Sequence, residues 1–379
     1  MIAAIFSRRF AANYLSTLGF IALSYWIISD LSSFHRAFLQ GQWQLGMFKI
    51  NYVLTVHRLI VGLIALYAVV LIPFYGAYPW LRSKAHVFLQ GLWFSFLRLR
   101  RPPSRAKQAV AARQPFRLPW RVGLTPAAKQ AALALLLKFF FAPLMLNWCL
   151  MHVADMSGRT LELISNLKDG ITGRALFDGS LFWACFQLIL FVDTFLFTIG
   201  YIVEVPALKN RIRTVDPTFF GWFICLACYP PFNGFTEQYF FEWQSTDFPR
   251  YETTTLHFIA NISILVLMAI YSWASVSLGF KASNLTNRGI VSRGPYAFVR
   301  HPAYITKNLA WWIGALPTLY LQYAMGNVRG FWYALFALTG WSTIYLLRAI
   351  TEERHLLLTD NGYAQYTARV RWRFIPGVF

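Results

Sequence analysis

Residues 255–278 read TLHFIANISILVLMAIYSWASVSL, twenty-four positions without a charged side chain. About 20 consecutive apolar residues cross a bilayer as a helix, so this run reads as a membrane span. Residues 10–29 (FAANYLSTLGFIALSYWIIS) are free of charge in the same way. Six further stretches, roughly 52–75, 130–153, 179–203, 216–235, 303–325 and 330–350, complete a set of eight candidate spans. Pro230-Pro231 interrupts 216–235, which is the weakest of them. The whole chain, 379 residues, is 57% hydrophobic and only 13% charged. Soluble domains carry about 25% charged residues, so a soluble multidomain enzyme is excluded in favour of an all-α, polytopic integral membrane protein. Nothing after the first span resembles a small-residue cleavage site, so it reads as a retained helix.

The formal charge of +20 is unevenly placed. Residues 76–129 hold eleven Lys or Arg, from Arg82 to Lys129, and no acid. Basic loops remain cytoplasmic. With that loop inside, residues 204–216, the linker 279–302 and both termini also fall inside. The acidic stretch 236–253 (Glu237, Glu242, Asp247, Glu252) falls outside. Attraction to anionic headgroups explains arginines interleaved with Trp93, Phe94, Phe96 and Trp120 better than nucleic-acid binding does. The bacterial plasma membrane is the expected location, with the endoplasmic reticulum as the alternative. Cys225 and Cys228 form a lone C-x-x-C. A structural zinc site needs four ligands, so these are read as buried thiols and no metal is expected.

Two regions divide the chain. Residues 1–253 hold five spans and the basic loop; residues 254–379 place polar groups beside spans. Spans 303–325 and 330–350 are separated by a few residues, MGNVR, which implies an antiparallel helical hairpin. Before it lies R-G-P-Y-A-F-V-R-H-P-A-Y, Arg293 to Tyr304. Pro302 suits the first position of a helix, with His301 at the cap and Tyr304 one turn in. A helix N-terminus favours an anionic group, and Arg293 and Arg300 add to that field. Lys307 is expected to reach toward headgroups, and Asn308, one turn beyond Tyr304, to face a ligand. After the hairpin comes R-A-I-T-E-E-R-H, residues 348–355. Arg348 and Glu352 are four apart on one helix face and can pair; Glu353 points elsewhere. Ionisable residues at such depth line a site or pair with one another.

These segments together, R-G-P-Y-x-x-x-R-H-P-x-Y, a hairpin, R-x-x-x-E-E-x-x-L, Y-x-x-Y-x-x-x-V (Tyr363, Tyr366, Val370) and a final I-P-G-V, resemble the isoprenylcysteine carboxyl methyltransferase family. That superfamily of integral membrane methyltransferases includes phospholipid methyltransferases. The resemblance covers about the last 110 residues. It implies a cytoplasmic pocket for S-adenosyl-L-methionine at the C-terminal hairpin. By position, Tyr296, Arg300, His301, Pro302 and Tyr304 would wall the cofactor, and Glu352 or Glu353 would hold its amino or ribose groups. Arg348, Asn308 and Glu352 would serve the reaction. The family's glycine falls where this chain has Asp360, with Gly362 displaced, so the cap after the Glu-Glu helix is expected to differ.

The implied activity is methyl transfer to a lipidic or membrane-partitioned acceptor: an isoprenylcysteine-like carboxylate, a phosphate or a phospholipid headgroup. Two alternatives stay open. One is an NADPH-dependent oxidoreductase like the sterol reductases, which share the R-H-P-x-Y neighbourhood. The other is a non-enzymatic transporter or scaffold. Other polar residues within spans are His57, Arg58, Lys138, His152, Asp193 and His257, with Lys138 and Asp193 a possible pair and the histidines read as hydrogen-bonded structural groups.

Overall fold

A computed structural model describes residues 7–45, 52–100, 124–359 and 362–378. The described residues are 75% helix and 3% strand, with strands β1 (Gln42–Leu45) and β2 (Tyr52–Thr55) forming one two-stranded sheet and two later strands another. The helices are α1 (Arg8–Leu31), α2 (Ser33–Leu39), α3 (Val56–Ala77), α4 (Lys84–Arg100), α5 (Pro126–Lys168), α6 (Gly173–Ile202), α7 (Phe219–Leu226), α8 (Phe232–Tyr239), α9 (Thr254–Leu278), α10 (Pro302–Ala324), α11 (Val328–Leu358) and α12 (Tyr363–Arg369). Among the described residues six are long and apolar enough to cross a membrane: α1, α3, α5, α6, the helix from Thr254, and α11. Arg101, Arg105, Lys107, Arg113, Arg117 and Arg121 of the basic stretch lie outside the described residues, as do Asp360 and Asn361.

The chain forms two compact units. One comprises Met1–Gly41 with Thr55–Phe140, the other Gln42–Leu54 with Phe141–Phe379. In the first, α1 packs on α3 and α4. Buried Asn13 ties α1 to the turn before α4: its Nδ2 donates to the Leu81 carbonyl (2.9 Å) and its Oδ1 accepts from Ser83 N (2.8 Å). His57 is held by the Tyr25 hydroxyl at 2.6 Å.

In the second unit α9 is the central helix, packed on α6 and α10, and α10 packs on α11. Its pattern is the reverse of a soluble helix. Small and polar residues Ala260, Asn261, Ser272 and Ser275 are buried, while Ile259, Ile262, Val266 and Trp273 are exposed. Small residues let membrane helices approach closely, and large exposed apolar faces mark contact with lipid or another apolar partner. Asn327, whose side chain accepts from Gly330 N, caps α11 and turns the α10–α11 hairpin through residues 325–327.

Helices α6 and α9 run parallel. At their starts His257 Nε2 donates to Asp178 Oδ1 (2.7 Å), and Arg174 Nη2 reaches the Tyr251 carbonyl (2.9 Å). At their ends β3 (Thr214–Val215) pairs antiparallel with β4 (Thr286–Asn287), and Gly200 meets the loop so closely that an added Cβ would lie 2.2 Å from the Ala282 oxygen. The segment between them must therefore travel back the length of a helix. It does so as α7, a turn at Pro230-Pro231, α8 and extended chain, rather than as the single helix expected over 216–235. Proline lacks the N–H that continues a helix, and eight residues rise only about 12 Å. The stretch expected at 303–325 is the continuous helix α10, but Thr306, Lys307 and Asn308 keep it out of the six most apolar.

Candidate functional site

The R-G-P-Y and R-H-P-x-Y segments, α11 and the C-terminal tail converge in the second unit. Pro302 opens α10 at its first position, with His301 as cap. Ahead of it Gly294 has φ +59°, and a Cβ there would stand 2.2 Å from Ser277 Oγ. A left-handed conformation costs an L-residue about 1–2 kcal/mol, and the clash adds to that. Gly294→Ala is expected to lose about 2–3 kcal/mol of stability, read as a lower thermal midpoint in detergent; an unchanged midpoint would refute this account of the glycine.

The adjacent glutamates have different tasks. Glu353, 4% exposed, accepts from Arg300 Nη1 (2.9 Å), His301 Nε2 (3.0 Å) and Arg373 Nε and Nη2 (3.1 and 2.9 Å). The same contacts latch the tail. Arg300 N donates to the Trp372 carbonyl (2.9 Å) and His301 N to the Arg373 carbonyl (3.0 Å). The Glu353 hydrogen bond holds Arg373 more firmly charged than an ordinary guanidinium. Glu352, about 100° further round the helix, accepts from the Tyr304 hydroxyl and lines a cavity of about 200 Å³.

Tyr296, Arg300, His301, Tyr304, Arg348 and Glu352 all line that cavity. Burial pushes the Tyr296 phenol up, out of reach of ionisation near neutrality. The His301 ring lies parallel to Tyr304, centroids 5.4 Å apart. Arg348 is buried within 5.0–5.5 Å of the Tyr304, Tyr345 and Tyr229 ring centres, an arrangement favourable to a cation. Its Nη2 donates to Asn284 Oδ1 at 2.9 Å; Glu352, the partner expected from i,i+4 spacing, stands at 3.9 Å.

Three expected site residues sit apart from the cavity wall. Pro302 is buried at the helix start. Glu353 is turned toward the tail. Asn308 is buried with Nδ2 on the Tyr304 carbonyl (2.9 Å) and its Oδ1 without a partner. Lys307, expected to extend toward headgroups, turns inward instead: its Nζ lies 5.3 Å from the Trp311 ring and 5.6 Å from Tyr271. It lines both this cavity and a second of about 240 Å³, whose wall includes Phe186, Leu190, Ile264, Met268 and Trp243. Aromatic faces and buried space hold the ammonium more favourably than a reach across the helix. Asp247 also lines the second cavity, and burial pushes its carboxyl up.

Sequence reasoning missed Tyr229, Lys281, Asn284 and Arg288, all on the first cavity. For Lys281, Asn284 and Arg288 the signal, an Asn- and Ser-rich linker beside a span, reads only as irregular chain until β3 and β4 pair, and Tyr229 lies beside Pro230 in the stretch expected to be one helix. Lining the cavity are five cations, Lys281, Arg288, Arg300, Lys307 and Arg348, against two acids, Asp216 and Glu352. Two of the polar groups within the spans are paired internally. Asp193 accepts from Tyr271 (2.7 Å) and Ser275, and His152 bonds Gln187 (2.9 Å). Among the described residues no group of three His, Cys, Asp or Glu could hold a metal. Gly362, at φ +74°, caps the start of α12 rather than the end of α11, which stops at Leu358.

The donor set is compatible with S-adenosylmethionine: Glu352 offers a carboxylate to cationic or hydroxyl groups, and buried guanidinium N–H groups offer themselves to a carboxylate. The chain matches no known protein family, no curated protein and no solved structure.

Proposed function

We propose that this protein is an integral membrane methyltransferase of the isoprenylcysteine carboxyl methyltransferase superfamily, using S-adenosyl-L-methionine and a lipidic acceptor. The observation that carries the reading is convergence. Tyr296, Arg300, His301, Tyr304, Arg348 and Glu352, noted as two separate sequence segments, line one cavity. When bound, the cofactor supplies a methyl group on a positively charged sulfur. The chain's part is to bind, orient and exclude water, since direct displacement gains its rate chiefly from alignment. Glu352 holds the amino or ribose groups, with the Tyr304 hydroxyl orienting its carboxylate. Arg348, whose Nε has no hydrogen-bond partner, directs an acceptor oxygen.

The surplus of cations favours an anionic acceptor, a carboxylate or phosphate, over a phospholipid amine. The second cavity, lined mostly by apolar side chains and sharing Lys307 with the first, suits its hydrocarbon. The loops support one topology. β3–β4 pairing holds residues 214–215 and 286–287 on one side, so if α9 crosses the membrane, the segment before it crosses too. Eight crossings then leave both termini and the basic stretch in the cytoplasm, in a bacterial plasma membrane or, failing that, the endoplasmic reticulum. The cofactor pocket opens to that cytoplasmic side.

Lys281, Arg288 and Lys307 favour one other reading, because an NADPH oxidoreductase needs cations for phosphates. Calorimetry on purified protein in detergent decides: S-adenosylmethionine is expected to bind in the micromolar range and NADPH not to bind. NADPH binding alone would transfer the chain to the reductase reading, and silence from both in folded protein would leave a transporter or scaffold.

A further inference from the structure

We propose that residues 281–291 form an oxyanion subsite centred on Arg288, built for the carboxylate or phosphate group of a ligand. Arg288 lines the first cavity and is only 3% exposed, yet one of its three guanidinium nitrogens alone is engaged. Nη1 donates to the Asn210 carbonyl; Nε and Nη2 have no hydrogen-bond partner. Leaving a buried charged donor unsatisfied carries a substantial penalty, so two such N–H groups on one cavity wall are in want of acceptors. A planar fork of this kind suits two oxygens of one anion.

The surroundings are fixed in advance of any ligand. Arg213 N donates to the Asn287 carbonyl (2.9 Å) and Asp216 N to the Leu285 carbonyl (2.8 Å). Asn284 N donates to the Tyr201 hydroxyl (2.6 Å), and Asn287 Nδ2 to Thr359 Oγ1 (2.6 Å). Ser283 and Thr286 add hydroxyls to the same wall, and Lys281 adds a second cation. The nearby carboxylate of Glu204, whose field Arg288 feels, accepts from Ile212 N at 3.0 Å. The subsite does not depend on the methyltransferase reading; that reading enters only in naming the anion. It is either the amino-acid carboxylate of S-adenosylmethionine or the oxyanion of the acceptor.

The test uses the full chain in detergent at constant ionic strength, with inorganic phosphate against chloride. Phosphate is expected to raise the thermal midpoint by about 3 °C or more. Arg288→Lys should retain part of the rise, Arg288→Gln should lose it, and Arg354→Gln, at an exposed cation, should keep it whole. Circular dichroism and a monodisperse elution profile establish that each variant folds. S-adenosylmethionine is then compared with its decarboxylated analogue. A preference of at least about tenfold for the intact molecule, abolished in Arg288→Gln, assigns the oxyanion to the cofactor. Equal affinities, with the phosphate effect intact, assign it to the acceptor. Phosphate stabilisation lost in Arg288→Gln with no cofactor binding would keep the subsite and discard the methyltransferase. No phosphate effect in the native protein, or one that survives Arg288→Gln, overturns the subsite.

Discussion

Glu353→Ala is expected to lower the stability of the second unit by about 3 kcal/mol, because it strands Arg300, His301 and Arg373 in a largely buried place without their common acceptor. Breaking a buried pair by removing one partner costs about 3–5 kcal/mol. The lower end applies because the Arg300 and Arg373 side chains keep 14% and 20% of their exposure. With a few °C lost per kcal/mol, the thermal midpoint should fall by roughly 6–12 °C. The damage should be local first. Residues 371–374 are held against the start of α10 by the two backbone hydrogen bonds from Arg300 and His301 and by the Arg373 ion pair. Limited proteolysis of the variant should remove the tail well before it attacks α9. A tail as resistant as the native one would show that Glu353 is not its anchor.

Glu352→Gln is expected to do the opposite. Glutamine keeps the shape and still accepts the Tyr304 hydroxyl, and it withdraws only the charge facing the cavity, so stability should stay within about 1 kcal/mol of native. A hydrogen bond to a charged group is worth about 1.5–3 kcal/mol, so S-adenosylmethionine should bind roughly 10- to 100-fold more weakly. Calorimetry on the two variants side by side separates the roles. Unchanged affinity in Glu352→Gln, or a stability loss equal to that of Glu353→Ala, would remove Glu352 from the proposed binding role.

The contrast between these neighbours shows where sequence reading stops. Adjacent residues on a helix differ by about 100° in direction, so it was legible that only one of the pair shares the Arg348 face. Which one faces a ligand depends on Arg373, twenty positions on, and on Arg300 and His301, more than fifty positions back. No local pattern contains that information. Lys307 fails for a related reason: snorkelling is the rule for a lone lysine near a helix end, but Trp311 and Tyr271 offer its ammonium aromatic faces inside the unit. Arg288 read only as one more cation of an irregular linker, since its importance arises from what it does not touch.

The sequence by itself determined the mostly helical, apolar architecture, the α10–α11 hairpin and its capping at Pro302, because hydrophobic run length and local backbone chemistry act within a few residues of chain. The proline pair at 230–231 already marked the break in 216–235. Tertiary structure alone decided that the two short helices and the chain after them span the distance between parallel α6 and α9, and that six distant side chains meet on one cavity. Those outcomes rest on contacts between residues tens of positions apart, where the β3–β4 pairing and the buried ion pairs of Glu353 select one arrangement among many that the local pattern permits.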